Sequence, residues 1–232
     1  MERIPAQLRD VRGRIARACA AVKRPVESVT LLAVGKTFPP AALRAAFDAG
    51  QRAFGENYAQ EALAKIEALA DLRPHIEWHL IGPLQGNKAR VAAELFDWVE
   101  TIDRPRIAER LAAARAGRPA LDVLVQVNVS GEATKSGVAP GEALALARYV
   151  ASLPNLRLRG IMGIPAPTSG AEAARGQFRA LRACFDTLRT AGLRVDTLSM
   201  GMSADLEPAI AEGSTEVRVG TAIFGERTKE AA

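Results

Sequence analysis

The chain has 232 residues, 48% hydrophobic and 25% charged, with a net charge of +5, the make-up of a globular protein able to bury a large core. No apolar stretch reaches the roughly 18 to 20 residues that span a bilayer, and the N-terminus lacks a signal peptide's apolar block, so cytoplasmic residence is expected. The positive charge is spread over helical faces such as Leu43-Arg44-Ala45, and aromatic residues are only 5%, which argues against the stacked, basic surface of a nucleic-acid binder.

In chain order, the first element predicted is a helix over Glu2–Val22, with Ile4, Leu8, Val11, Ile15 and Ala18 at helical spacing. Eight strand-like runs follow: VTLLAVG (29–35), RAFGE (52–56), EWHLIG (77–82), WVETI (98–102), LDVLVQVN (121–128), LRLRGIMGI (156–164), DTLSMG (196–201) and EVRVGTAIFG (216–225). Stretches with a 3.6-residue period separate them, several ending at glycine, which gives seven connecting helices. No linker or change of composition interrupts the series, so residues 1–232 read as one domain. Short apolar strands alternating with helices pair in parallel, and eight of them predict a single closed (β/α)8 TIM barrel with an extra N-terminal helix. A doubly wound open sheet is the alternative. Cys19 and Cys184 fall in helical patterns and are expected to be reduced thiols. His75 and His79 have no partners at metal-ligand spacing, and no metal site is expected.

In such a barrel the strand carboxyl ends carry the chemistry. Here they hold Lys36 after strand one and Glu56-Asn57-Tyr58 after strand two. His79, Gln85, Asn87 and Lys88 lie at or beyond strand three, and Asn128, Glu132 and Lys135 follow strand five. Strand seven leads through Ser199 to Ser203 and Asp205, and strand eight carries Arg218, Gly220 and Thr221. Barrels of this kind often seat a phosphate between the loops after strands seven and eight. Ser203 is expected to cap the helix that begins there, and Gly220 to let a ligand approach the backbone. Closure makes strands one and eight neighbours, so Lys36 should face that cradle. Desolvation at a strand end favours the neutral, nucleophilic amine that adds to an aldehyde. An aldehyde that also bears a phosphate is pyridoxal 5′-phosphate (PLP).

The segments AVGKTFP, FGENYAQEA, EWHLIGPLQGNK, QVNVSGEATKSG, LRGIMGI, LSMGMSADLEPAI and EVRVGTAIFGER closely resemble the pyridoxal-phosphate homeostasis protein family, which has the barrel of the alanine racemase N-terminal domain. They run in order over nearly the whole chain. The resemblance implies that Lys36 forms the internal aldimine and that Ser203, Gly220 and Thr221 bind the phosphate, with Ser199 close by. It further implies Arg218 near the pyridine nitrogen and Asn57 near the ring. Gly86 departs from the family pattern, where serine is expected at a helix start. A guanidinium does not readily surrender a proton, so Arg218 would leave that nitrogen unprotonated and the ring a poor electron sink.

The resemblance implies a carrier or buffer in PLP (vitamin B6) homeostasis, with apo PLP-dependent enzymes as candidate recipients, rather than a catalyst. The alternative is a PLP-dependent amino-acid racemase or decarboxylase acting through Lys36. A racemase needs a second base, and in alanine racemase a tyrosine on a further domain supplies it. This chain ends seven residues after Gly225 and has only Tyr58 and Tyr149. The same shortness makes a monomer the expectation. A phosphosugar enzyme would need paired carboxylates at the strand ends. Glu56 is expected instead to bond backbone, and Asp205 to sit in a helix's first turn. Lys135 is a candidate second amine for hand-over of the aldehyde.

Overall fold

A computed structural model describes residues 3–132, 135–166 and 171–226. Its centre is a closed parallel barrel of eight strands in sequence order. They are β1 (Thr30–Val34), β2 (Ala53–Glu56), β3 (Glu77–Leu80), β4 (Trp98–Ile102), β5 (Leu121–Val127), β6 (Leu156–Gly163), β7 (Thr197–Met202) and β8 (Glu216–Val219). The ring closes through β1 and β8, with Thr30 opposite Glu216 and Ala33 opposite Val219.

Helix α1 (Ile4–Ala21) precedes the barrel, and its five expected apolar positions are all buried. Glu2, where that helix was expected to begin, lies outside the described residues. Seven connecting helices follow: α2 (Pro40–Asp48), α3 (Ala59–Ala68), α4 (Ala89–Leu95), α5 (Pro105–Ala114), α6 (Ala143–Ser152), α7 (Ala171–Thr190) and α8 (Leu206–Ala211). Proline opens α2 and α5, where its missing N–H costs nothing. Helix α1 packs beside α8, where Arg14 grips Glu207 with two hydrogen bonds of 2.7 and 2.8 Å.

One boundary differs in kind from expectation. The eighth strand stops at Val219, and Thr221–Phe224 coils into a one-turn helix, α9. Ile223 and Phe224 both donate their N–H to the Gly220 carbonyl, so the apolar run AIF is helix and not strand. A short apolar run has no period of its own to separate the two.

Alternate residues of each strand face opposite sides of the sheet. The outward set packs under the helices and forms most of the core, including Phe54, Trp78, Val99, Val123 and Val217. The inward set contains a small separate apolar cluster, Trp98, Leu124 and Met162. Around it the interior is polar: His79, Glu100, Gln126, Ser199, Glu216 and Arg218 are all buried. Among the described residues no helix is long and apolar enough to cross a membrane, and Cys19 and Cys184 are buried free thiols.

Candidate functional site

The loop after β1 and the turn after β8 meet at one edge of the barrel mouth. A Cβ placed on Gly220 would lie 3.2 Å from the carbonyl oxygen of Val34, two residues before Lys36. The loop's Phe38 and the turn's Phe224 pack ring against ring, with centroids 5.1 Å apart. Lys36 and Thr221 therefore sit on segments held together by strand pairing and by an aromatic contact. Lys36 is half-buried and Thr221 exposed. In a helix the first N–H groups have no intrahelical acceptor, and α9 begins at Thr221, on the mouth.

The segment around Lys36 is strained and tightly held. Thr37 has φ 68°, a left-handed conformation that a β-branched residue adopts at a cost of about 1–3 kcal/mol. Its N–H donates to Glu61 Oε1 at 2.6 Å. Lys65 Nζ donates to the Gly35 carbonyl at 2.7 Å, to both Glu56 oxygens at 2.9 Å and to Glu61 at 2.7 Å. Glu56 was expected to bond backbone; it is instead fully buried and paired with Lys65. Burial pushes the Glu56 carboxyl up to about 7 even though the Lys65 ammonium opposes the rise. The sequence could not show this pairing, because Lys65 lies on the following helix and meets Glu56 only once α3 packs on β2.

Ser203 follows β7 and is half-buried, but it does not cap the next helix. Helix α8 starts at Leu206, and Asp205 occupies the N-cap position. Asp205 Oδ1 accepts the Met202 N–H at 2.6 Å, closing the turn in which Ser203 lies. Asp205 makes no side-chain capping bond to α8, because its carboxylate turns back to the Met202 N–H instead.

Arg218 and Ser199 lie below the mouth, inside the barrel, and are 4% and 0% exposed. Arg218 donates to Ser199 Oγ at 2.5 Å and to the Gly163 carbonyl at 2.8 Å. Ser199 in turn donates to Glu100 at 2.7 Å. His79, expected at the end of β3, lies within it: Nδ1 donates to Glu100 at 2.8 Å and Nε2 to Glu77 at 3.0 Å. A continuous chain of hydrogen bonds thus runs from Arg218 under the mouth to Glu77, which is half-exposed at the amino end of β3. Burial alone would depress the imidazole, but Glu100, Glu77 and Glu216 outweigh it and raise His79 to about 10. Burial, reinforced by the Glu100 charge, raises Glu216 to about 8. Glu100 stays low because the hydrogen bond from His79, with the His79 and Arg218 charges, overcomes its burial. These shifts favour the ionised form of Glu100 and the protonated forms of Glu216 and His79. His79, Glu100 and Glu216 bring ligand-type atoms within 4.8 Å of one another, a grouping invisible in sequence because it draws on β3, β4 and β8. Their 2.8 Å His79–Glu100 contact is a hydrogen bond, which accounts for the grouping without an ion.

Asn57 follows β2 directly, and a Cβ on Gly82 would collide with its carbonyl. Asn57, Tyr58, Gln85 and Lys88 line one cleft beside the mouth. Lys135 lines another, a cavity of about 260 Å³ at the ends of β3 to β6, and pairs with Glu132 at 3.2 Å. Asn128 orders that loop by donating to the Glu132 and Lys135 carbonyls. Gly86 opens a short 3-10 turn, and a Cβ there would run into the Arg110 guanidinium. Tyr58 is 61% exposed, and Tyr149 donates to Glu109 from the outer face of α6.

A closed parallel barrel with a lysine beyond its first strand, set against a glycine turn beyond its eighth, is the alanine racemase N-terminal type. Residues 8–228 match that family. More narrowly, the chain belongs to the pyridoxal phosphate homeostasis protein family. It is 54% identical over 228 residues to the pyridoxal phosphate homeostasis protein of Pseudomonas aeruginosa, a match spanning 98% of this chain and 97% of that one. It also resembles PipY of Synechococcus elongatus PCC7942, solved with PLP bound. That match has 39% identity and a TM-score of 0.79, over 91% of this chain and 100% of PipY. An alanine racemase of Clostridium difficile 630 shares the fold at 14% identity and a TM-score of 0.76, covering 99% of this chain and 58% of the racemase.

Proposed function

We propose that this protein binds pyridoxal 5′-phosphate through Lys36 and acts in intracellular PLP homeostasis as a carrier or buffer. The observation that carries the reading is the meeting of the Lys36 loop with the Gly220–Thr221 turn at one edge of the mouth. The group fits the residues there. Gly220 brings its backbone against Val34, two residues before Lys36, more closely than a side chain would comfortably allow, and Thr221 opens a one-turn helix. When bound, the cofactor supplies an aldehyde that condenses with a primary amine, together with a phosphate anion. Gly220, Thr221 and Ser203 would hold the anion, with Ser199 beneath them. Asn57 would face the ring from the β2 side. Arg218 presents a permanent cation that keeps its own protons, which favours holding the cofactor over carbanion chemistry.

A racemase or decarboxylase finds less support. Tyr58 points to solvent, and Tyr149 is bound to Glu109 on the outside of the barrel. Cytoplasmic residence, a monomeric state and delivery to apo PLP-dependent enzymes complete the reading.

Purified protein given PLP should yield a borohydride-trapped adduct on the peptide containing Lys36, and Lys36→Ala should abolish the adduct and its absorbance band. Equal labelling of the variant sinks the assignment. Lys135, beside the mouth, is proposed as a second amine that receives the aldehyde as it leaves. Lys135→Ala should slow transfer of PLP to an apo-enzyme while sparing the Lys36 adduct; an unchanged transfer rate removes that role.

A further inference from the structure

We propose that Lys65, Glu61 and Glu56 are positioning residues for Lys36, an ionic clamp that holds the backbone on both sides of the nucleophilic lysine. The proposal deepens the assignment of Lys36 as the attachment point and rests on it.

The clamp draws on residues of two motifs that the cofactor reading used only for Lys36 and Asn57. AVGKTFP contributes Gly35 and Thr37, the immediate neighbours of Lys36; FGENYAQEA contributes Glu56 and Glu61. Before the lysine, the Gly35 carbonyl accepts from Lys65 Nζ at 2.7 Å. After it, the Thr37 N–H donates to Glu61 Oε1 at 2.6 Å. Both anchors end on the same ion pair, because Lys65 and Glu61 are themselves 2.7 Å apart. An ammonium has three protons to give, and Lys65 spends them on Gly35, Glu56 and Glu61.

Glu56 is the floor of the arrangement. A Cβ on Gly35 would lie 2.8 Å from Glu56 Oε1, so any side chain at that position would displace the carboxylate. This explains glycine before the lysine. It also explains how Thr37 keeps φ 68°, since such a conformation persists only where its surroundings over-determine it. Lys65 and Glu56 are 4% and 0% exposed. Apolar residues would hold α3 on β2 as well or better than a buried ion pair. What apolar residues cannot do is bond the two backbone groups that bracket Lys36.

The supported step is condensation of the Lys36 amine with an aldehyde. The nitrogen–carbon bond forms, the carbonyl oxygen leaves as water, and no further reagent is consumed. Its rate depends on where the amine is held, and displacement by about 1 Å can cost on the order of a hundredfold.

Glu61 is the member to change, because its side chain is 30% exposed and Lys65 keeps Glu56 and Gly35 without it. In Glu61→Ala, PLP should add to Lys36 at least about tenfold more slowly. The Thr37 amide should exchange faster with solvent, and the melting temperature should stay within about 4 °C. Glu61→Gln keeps a carbonyl acceptor for Thr37 and should restore both the rate and the protection. The clamp is overturned if the alanine variant reacts at the wild-type rate, if glutamine is as slow as alanine, or if slowing only follows loss of folded protein. A wild-type adduct mapping to a different lysine overturns the Lys36 assignment itself, a result distinct from normal reaction at Lys36 in Glu61→Ala.

Discussion

Glu100→Ala should lower the stability of the barrel by about 3 kcal/mol, because it strands buried cations. Glu100 accepts from His79 at 2.8 Å and from Ser199 at 2.7 Å, and Ser199 accepts from Arg218. Without the carboxylate, the histidine cation and the guanidinium lose their shared counter-charge inside the barrel. Glu216 offers partial relief: its Oε2 is 3.8 Å from His79 Nδ1, and loss of the Glu100 charge lets it ionise more readily. That compensation places the effect at the lower end of the usual 3–5 kcal/mol for breaking a buried pair. In a chain of this size the loss should appear as a fall in melting temperature of roughly 6–12 °C. Arg218 and Ser199 would also lose their fixed positions beneath the mouth, so PLP binding should weaken with stability. Glu100→Gln, which keeps an acceptor, should fall between wild type and alanine. An alanine variant that melts within about 2 °C of wild type would show that Glu100 carries no charge in the folded state.

Stability should also fall steeply as pH rises from about 7 to 10. His79 is raised to about 10 from an ordinary value near 6.5. Its contribution is therefore complete below the ordinary value and is lost as pH climbs through 10. Glu56 and Glu216 are raised to about 7 and about 8, so their contributions are complete below their ordinary value and are lost as pH passes through 7 and 8. All three act in the same direction. The carboxyls held low, Glu100 and Glu77, have the opposite sign and lose their contribution only on acidification. Across the alkaline window the folded protein retains about one more proton than the unfolded chain, which gives a slope near 1.4 kcal/mol per pH unit. Thermal melts between pH 7 and 9 should differ by several degrees, and His79→Gln should flatten the profile. A wild-type melting temperature constant across that range would mean that the buried imidazole is neutral.

Much of this protein was legible in its sequence. The eight strand runs gave the barrel because alternation of short apolar segments with helical periods leaves few ways to bury both. Lys36, Asn57, Ser199, Ser203, Arg218, Gly220 and Thr221 stood out because they lie at or near strand ends, and the family resemblance assigned their roles. The errors share one cause. The N-cap position fell to Asp205 and not Ser203, and Thr221–Phe224 became helix and not strand; each was settled by local geometry that residue type alone left open.

The periodic pattern, and with it the eightfold alternation of strands and helices, followed from the order of residues alone, because burial of apolar side chains at a fixed spacing is a one-dimensional constraint; the pairing of β1 with β8 closed the ring over the open-sheet alternative. The ionic connections were decided only in three dimensions. Lys65 meets Gly35 across 30 positions, and Ser199 meets Glu100 across 99. Such pairs depend on which strands become neighbours and which way each side chain faces when the ring closes, and hydrophobic spacing encodes neither choice for a charged group.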